Sequence, residues 1–399
     1  MGNDTRDHLY KTYIITKILD LNHEDGIKLF LENIDILQDV NFIIPNPYMD
    51  GINYMEKFKN LNLKGIDVNY FFTNEDLYGF NADSIMSIMV FNKDIIKTET
   101  LISLDTQIQS YLYRKFKNET SSIPENIEEV LKFIKDRKWG IDCMAYMFEN
   151  TLFNPEFSNN QLYLDNMYAF ETYFFNSPRK AKSYTKKLLK FDNKLINDDF
   201  SNWYRRQYKL YYLELLVMAD IQLNKSHLSL YEKEKEFVKF FHEKIGVISD
   251  RETNLAKLYF MYGTKIGFFS KIQKGNKNII KNLKNMAWDI FHIHNTINNL
   301  AIQTNKIIDI TIPLFVTYDK RLKDILPIYK IKAAAFIKNS SQKWINYVTN
   351  IIDPVIQNEF FVLQAYENRL NKLKGNNVDE KSLLTLAESY IESYEQKFL

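Results

Sequence analysis

Along residues 279–297 the apolar positions Ile279, Leu283, Met286, Ile290, Ile293 and Ile297 step by three or four. This period predicts a long helix, "NIIKNLKNMAWDIFHIHNTINNLA", with a single buried stripe. Lys277, Lys281, Lys284 and Trp288 fall on the far side, and Asp289 lies at the stripe's shoulder, about 80° from its centre. Residues 312–318 show a different pattern, a continuous run of apolar and β-branched side chains that predicts a buried strand. That run meets Asp319 and passes into a charged, helix-like segment. The stretch "LISLDTQIQSYLYRKF" repeats the arrangement: an apolar run ends at Asp105, and Ile108, Leu112 and Phe116 follow at helical spacing.

The remaining pattern divides the chain. In the first hundred residues "EDGIKLFLENIDIL" reads as an amphipathic helix, while "NFIIPNPY", "NYFFT" and "SIMSIMVF" read as short strands. "SSIPENIEEVLKFIKDRK" has Ser and Pro at its entry, acidic residues in its first turn and basic ones in its last, the signature of a helix. "GIDCMAYMFENTLFN" reads as another. From about 160 to 274 nearly every window is helical, and "QKGNKN" closes that block. The last sixty residues read as helical, with turns at "IIDPV" and "KGNNVDEKS".

Composition narrows the function classes. Of 399 residues 45% are hydrophobic and 15% aromatic, enough for a core, and the length suits more than one structural unit. The charge balance, 52 − 50 = +2, says nothing of a polyanionic partner. One cysteine, Cys143, excludes an intramolecular disulfide framework and a Cys-rich zinc site. The polar start "MGNDTRDHLYKTY" is unlike a signal peptide, and no run of 18 apolar residues occurs, so a cytoplasmic protein without a membrane span is expected. There is no G-x-G-x-x-G, G-x-x-x-x-G-K-[ST] or G-x-S-x-G, and the six histidines show no H-E-x-x-H spacing.

Chemistry then rests on the carboxylates. A carboxyl group at the end of a parallel strand faces the crevice where ligands bind, although either Asp105 or Asp319 alone is equally well a helix cap. Thr106 follows the first and Thr317 precedes the second. Asp289 is costly at the border of a buried stripe unless a partner or a cation compensates it; a salt bridge or a polar rim position is the plainer explanation. "LISLDTQIQSYL", an acidic helix residue, "NMAWDIFHI" and "PLFVTYDKRL" together resemble the ordered acidic pattern of PIN-domain and PIN-like nucleases. Asp105, Asp289 and Asp319 take its first, third and fourth positions, and Glu149 in "AYMFENTL" takes the second. Glu171 and Asp142 compete for that second place.

The resemblance covers 100–155 and 276–337, and 140 residues separate Glu149 from Asp289. It implies an α/β fold: a PIN-like three-layer core with a parallel central sheet, a large helical insertion over 156–275, and a helical C-terminal extension over 338–399. Residues 1–99 form a mixed segment packed on the core. It further implies a metal-dependent endonuclease in which Asp105, Glu149, Asp289 and Asp319 hold Mg2+ or Mn2+ and Thr317 supports them. The substrate would be RNA before DNA, with a toxin or phage-defence role and a regulatory protein partner or homo-oligomer in view. Magnesium prefers oxygen ligands, and a bound divalent ion makes converging carboxylates tolerable while activating water.

Residues 179–210 hold ten Lys or Arg against three Asp, interleaved with aromatics. This marks Lys186, Lys187, Arg205 and Arg206 as candidate substrate contacts, by phosphate neutralisation and base stacking. A solvated helix surface over core aromatics accounts for the same residues. His292, one turn beyond Asp289, could orient a phosphate or sit as a structural imidazole. Two other readings stand beside the nuclease. One is a non-enzymatic helical interaction protein whose acids are caps and ion pairs. The other is a receiver-like module, for which an early acidic pair and a late Lys cannot be assigned.

Overall fold

The computed structural model describes residues 3–45, 52–53, 67–73, 76–91, 96–119, 123–136, 139–154, 160–175, 199–301, 309–338, 342–361, 364 and 380–399. In chain order, helices α1 (Asn3–Asp20) and α2 (His23–Glu32) precede strands β1 (Val40–Pro45), β2 (Ile52–Asn53), β3 (Asp67–Tyr70) and β4 (Asp76–Phe80). Helix α3 (Ala82–Phe91) leads to β5 (Thr98–Leu104), α4 (Thr106–Phe116), α5 (Ile127–Asp136), β6 (Gly140–Asp142) and α6 (Met144–Thr151). Next come α7 (Gln161–Phe175), α8 (Asp199–Asn224), α9 (Leu230–Phe240), α10 (Asp250–Tyr262) and α11 (Ile279–Asn298). Strands β7 (Ile310–Thr317), β8 (Ile331–Ile337) and β9 (Lys343–Tyr347) follow, and α12 (Glu380–Gln396) ends the chain.

The protein is α/β, with two sheets. One is mixed, in the order β3-β7-β5-β6, where β5 pairs parallel with both β6 and β7 and β3 runs antiparallel along β7. The other, β2-β4-β1-β8-β9, pairs antiparallel throughout. All eight residues of β7 are buried, as a strand covered on both faces requires. One continuous apolar core joins β5 and β7 to α4, α5, α6, α8 and α11, so the helical block shares its interior with the sheet. A second, smaller core lies between α1, α2 and the antiparallel sheet.

Three local expectations are corrected. "SIMSIMVF" forms helix α3, not a strand: Ser84 N–H donates to Asn81 Oδ1 at 2.9 Å and Asn81 N–H to Ser84 Oγ at 3.0 Å, a reciprocal cap that starts a helix despite the apolar, strand-like composition. "GIDCMAYMFENTLFN" is a helix only from Met144, because Gly140–Asp142 pairs with β5. Gly140 suits that close approach: a Cβ there would meet Leu101 Cδ1 at 3.0 Å and Glu99 Oε1 at 3.1 Å. Finally, Lys343–Tyr347, within the expected helical extension, is a strand on the edge of β8.

The first hundred residues do more than pack on a core. They supply β3 to the mixed sheet and β1, β2 and β4 to the antiparallel one, so strand ladders cross the boundaries expected at 99 and 337. Among the described residues no helix is long and apolar enough to cross a membrane.

Candidate active site

The parallel register builds the site. Seven pairs run from Thr98 opposite Ile310 to Leu104 opposite Val316, and the Asp105 N–H continues the ladder to the Val316 carbonyl at 3.0 Å. One step further, Asp105 and Thr317 leave the carboxyl ends of adjacent strands together. The Thr317 hydroxyl, fully buried, donates to Asp105 Oδ2 at 2.7 Å and accepts from the Asp319 N–H at 2.9 Å. One side chain thus joins two acids whose numbers differ by 214.

The two acids differ in their use. Asp105 occupies the N-cap position of α4, but its carboxyl is bonded chiefly by Thr317. Burial raises its carboxyl above the ordinary range, opposed by the Thr317 bond and by His292. Asp319 does cap, accepting the Arg321 N–H at 2.9 Å ahead of a 3-10 turn. Its carboxylate also takes the Arg321 side chain, through Nε at 2.8 Å and 3.1 Å and through Nη2. Burial works against that charge, yet these bonds hold Asp319 below its usual value.

Asp289 comes from α11, whose expected stripe is buried throughout. Its carboxyl stands well above the ordinary range, first through burial and then through Asp105, Asp319 and Glu149, with Arg321 as the opposing cation. Among the described residues its side chain makes no hydrogen bond or ion pair. Glu149 reaches the same place from α6, where Tyr146, Met147 and Phe148 face the core and Glu149 stays outside. His292, 3% exposed, brings Nε2 to 3.6 Å from Glu149 Oε2, and neither ring nitrogen has a hydrogen-bond partner. His292 holds the glutamate low against the opposing effect of burial. Asp105, Glu149, Asp289 and Asp319 therefore share one electrostatic neighbourhood at the ends of β5 and β7.

The two competitors are engaged differently. Asp142, at the end of β6, feels His292 as Asp105 and Glu149 do, but it accepts from Ser103 Oγ, from Asn299 Nδ2 at 2.9 Å and from the Met144 N–H at 3.1 Å, where it starts α6. Glu171 is fully buried on α7 and is not among the charges acting on Asp289.

The basic stretch divides. Lys186 and Lys187 lie outside the described residues. Arg205 Nε donates to the Leu152 carbonyl at 2.8 Å, and Tyr208, Tyr211 and Tyr212 beside it are buried, so these aromatics belong to the core and offer no stacking platform. Arg206 lies half-buried on the same helix. Trp288, expected on a solvent-facing side of α11, packs on Tyr208 at 4.2 Å between ring centres and stacks on His292 at 5.7 Å. Arg321 was missed by the sequence reading; the Asp-x-Arg spacing of "YDKRL" was its signal.

Carboxylate oxygens suit a hard divalent ion, and an unbonded Asp289 pressed by like charges is the place such an ion would relieve. Among the described residues, however, no three His, Cys, Asp or Glu side chains stand close enough together to hold a metal ion. What fold and site define is an α/β protein with a group of carboxylates at the carboxyl ends of parallel strands. No family model, curated protein or solved structure matches the chain.

Proposed function

We propose that this protein is a divalent-metal-dependent nuclease that hydrolyses phosphodiester bonds, with RNA as its substrate. The observation that carries the reading is Asp289, a half-buried carboxyl pressed by three other carboxylates, with no hydrogen-bond donor of its own among the described residues. Such a group is tolerable either protonated or beside a cation. Asp105, Glu149 and Asp289 would hold Mg2+ or Mn2+ through oxygen. When bound, that ion would stabilise charge on the phosphate and lower the pKa of water.

The chain's own residues divide the remaining work. Thr317 fixes the Asp105 carboxyl by its hydroxyl bond. His292, stacked on Trp288, stands 3.6 Å from Glu149 Oε2 and favours its charged form. The test is incubation of the full chain with mixed RNA and with single-stranded DNA, in Mn2+ or in chelator. Cleavage of RNA by wild type in Mn2+ alone, absent in Asp289→Asn, is expected; equal cleavage by both proteins would end the assignment.

The second reading, a non-enzymatic helical interaction protein, draws support from Asp319, whose engagement by Arg321 is what a structural ion pair shows. On that reading neither protein cuts RNA and Mn2+ leaves the melting temperature unchanged.

A further inference from the structure

Asp289 and Asp319 share a cleft and have opposite hydrogen-bonding states. A carboxylate offers about four acceptor positions. At Asp319 they are met by Arg321 alone, through its backbone N–H, two contacts from Nε and one from Nη2. Asp289 has none of these. An acid so fully engaged is poorly placed to ligate an ion, and a second use for it follows from its partner.

The Arg321 guanidinium is held from both ends. Its stem lies against Gly267, with Cγ at 3.8 Å and Cβ at 4.0 Å from where a Cβ on that glycine would stand. The Gly267 N–H in turn donates to Asp324 Oδ2 at 2.9 Å, pinning the turn to the segment that carries Arg321. Guanidinium carries five N–H donors. Two go to Asp319, leaving the Nη1 pair and the second Nη2 hydrogen without a partner among the described residues. The side chain is 34% exposed, which leaves it reachable by a ligand. A planar fork with two parallel N–H groups matches the oxygens of a phosphate.

We propose that Arg321 binds the phosphate of the substrate and that Asp319 is its positioning residue, not an ion ligand. This rests on the nuclease reading above. It reduces the expected ligand set to Asp105, Glu149 and Asp289 and gives the acidic cluster a fixed cation for a polyanionic substrate.

Two measurements on the full chain test it. One is fluorescence anisotropy of a fluorescein-labelled, mixed-sequence single-stranded RNA in chelator; the other is the melting shift produced by Mn2+. Arg321→Gln should weaken RNA binding about tenfold, and Arg321→Lys should recover part of it, since a lysine restores charge without the fork. Asp319→Asn should also weaken RNA binding while keeping the Mn2+ shift. Asp289→Asn should lose the Mn2+ shift and bind RNA at least as well as wild type. Loss of the Mn2+ shift in Asp319→Asn, or unchanged RNA affinity in Arg321→Gln, would overturn the assignment while leaving the nuclease reading standing. A wild type that shows neither a Mn2+ shift nor RNA binding would overturn both.

Discussion

The hydroxyl of Thr317 bonds the carboxylate of Asp105 at 2.7 Å across two parallel strands, and the same oxygen receives the Asp319 N–H. Thr317→Val keeps the shape of the side chain and removes both bonds, leaving a buried acid and an amide without their partner. A loss of about 1–3 kcal/mol is expected in urea unfolding. Thr317→Ser should restore most of it, and RNA cleavage should follow the same order.

Replacing Asp289 should stabilise the metal-free protein. The wild-type carboxyl is half-buried among like charges, and Asn removes its share of that repulsion while adding a donor to face them. An increase of about 1–2 kcal/mol in chelator is expected, read by thermal melting. A melting temperature that falls would show that Asp289 has a stabilising partner.

A second buried acid sets a pH dependence away from the cleft. Burial first, and then Glu252, push Glu214 well above the ordinary glutamate value. The folded chain thus binds this proton more tightly than the unfolded chain, so its contribution is present at low pH and is lost as pH rises from about 4 upward. Glu252 moves oppositely: burial raises it, but His294, 2.6 Å away, holds it low, and its contribution is lost as pH falls. Glu214→Gln therefore isolates the first effect. The variant should exceed wild type by about 1–2 kcal/mol near pH 8 and draw level near pH 4, in melts across that range.

Arg251 ties the helical block to the sheets. It is 4% exposed, donates through Nη1 to the Ile328 carbonyl at 2.9 Å and to that of Thr349, and stands 4.4 Å over the Tyr347 ring. Arg251→Met fills similar space but strands two carbonyls. A loss of about 2–4 kcal/mol is expected in thermal or urea unfolding, and Arg251→Lys should recover less than half.

What could be read from the residues follows from the range of the forces involved. The α11 stripe and the run ending at Thr317 were legible because a buried face imposes its period on neighbouring residues. Asp105 and Asp319 were each visible where an apolar run ends, whereas grouping them with Asp289 rested on the resemblance to PIN-like nucleases and not on periodicity. Strand β6 was not, since three residues carry no period and its place depends on contact with β5. Strand β9 was hidden for the same reason, and α3 because its cap, Asn81 and Ser84, outweighed an apolar run that favours extension. The engagement of Asp319 by Arg321 depends on where the 3-10 turn directs a side chain, which spacing alone leaves open.

His292 and His294 leave opposite sides of α11, the first toward Glu149 in the cleft and the second to Glu252 in the helical block. The rod is therefore held through imidazoles on two sides, to a glutamate on each. Disturbance of the bundle around Glu252 should then reach Asp289 as a twist of the shaft that bears it, so damage distant from the strand ends can dull the cleft without touching any residue in it.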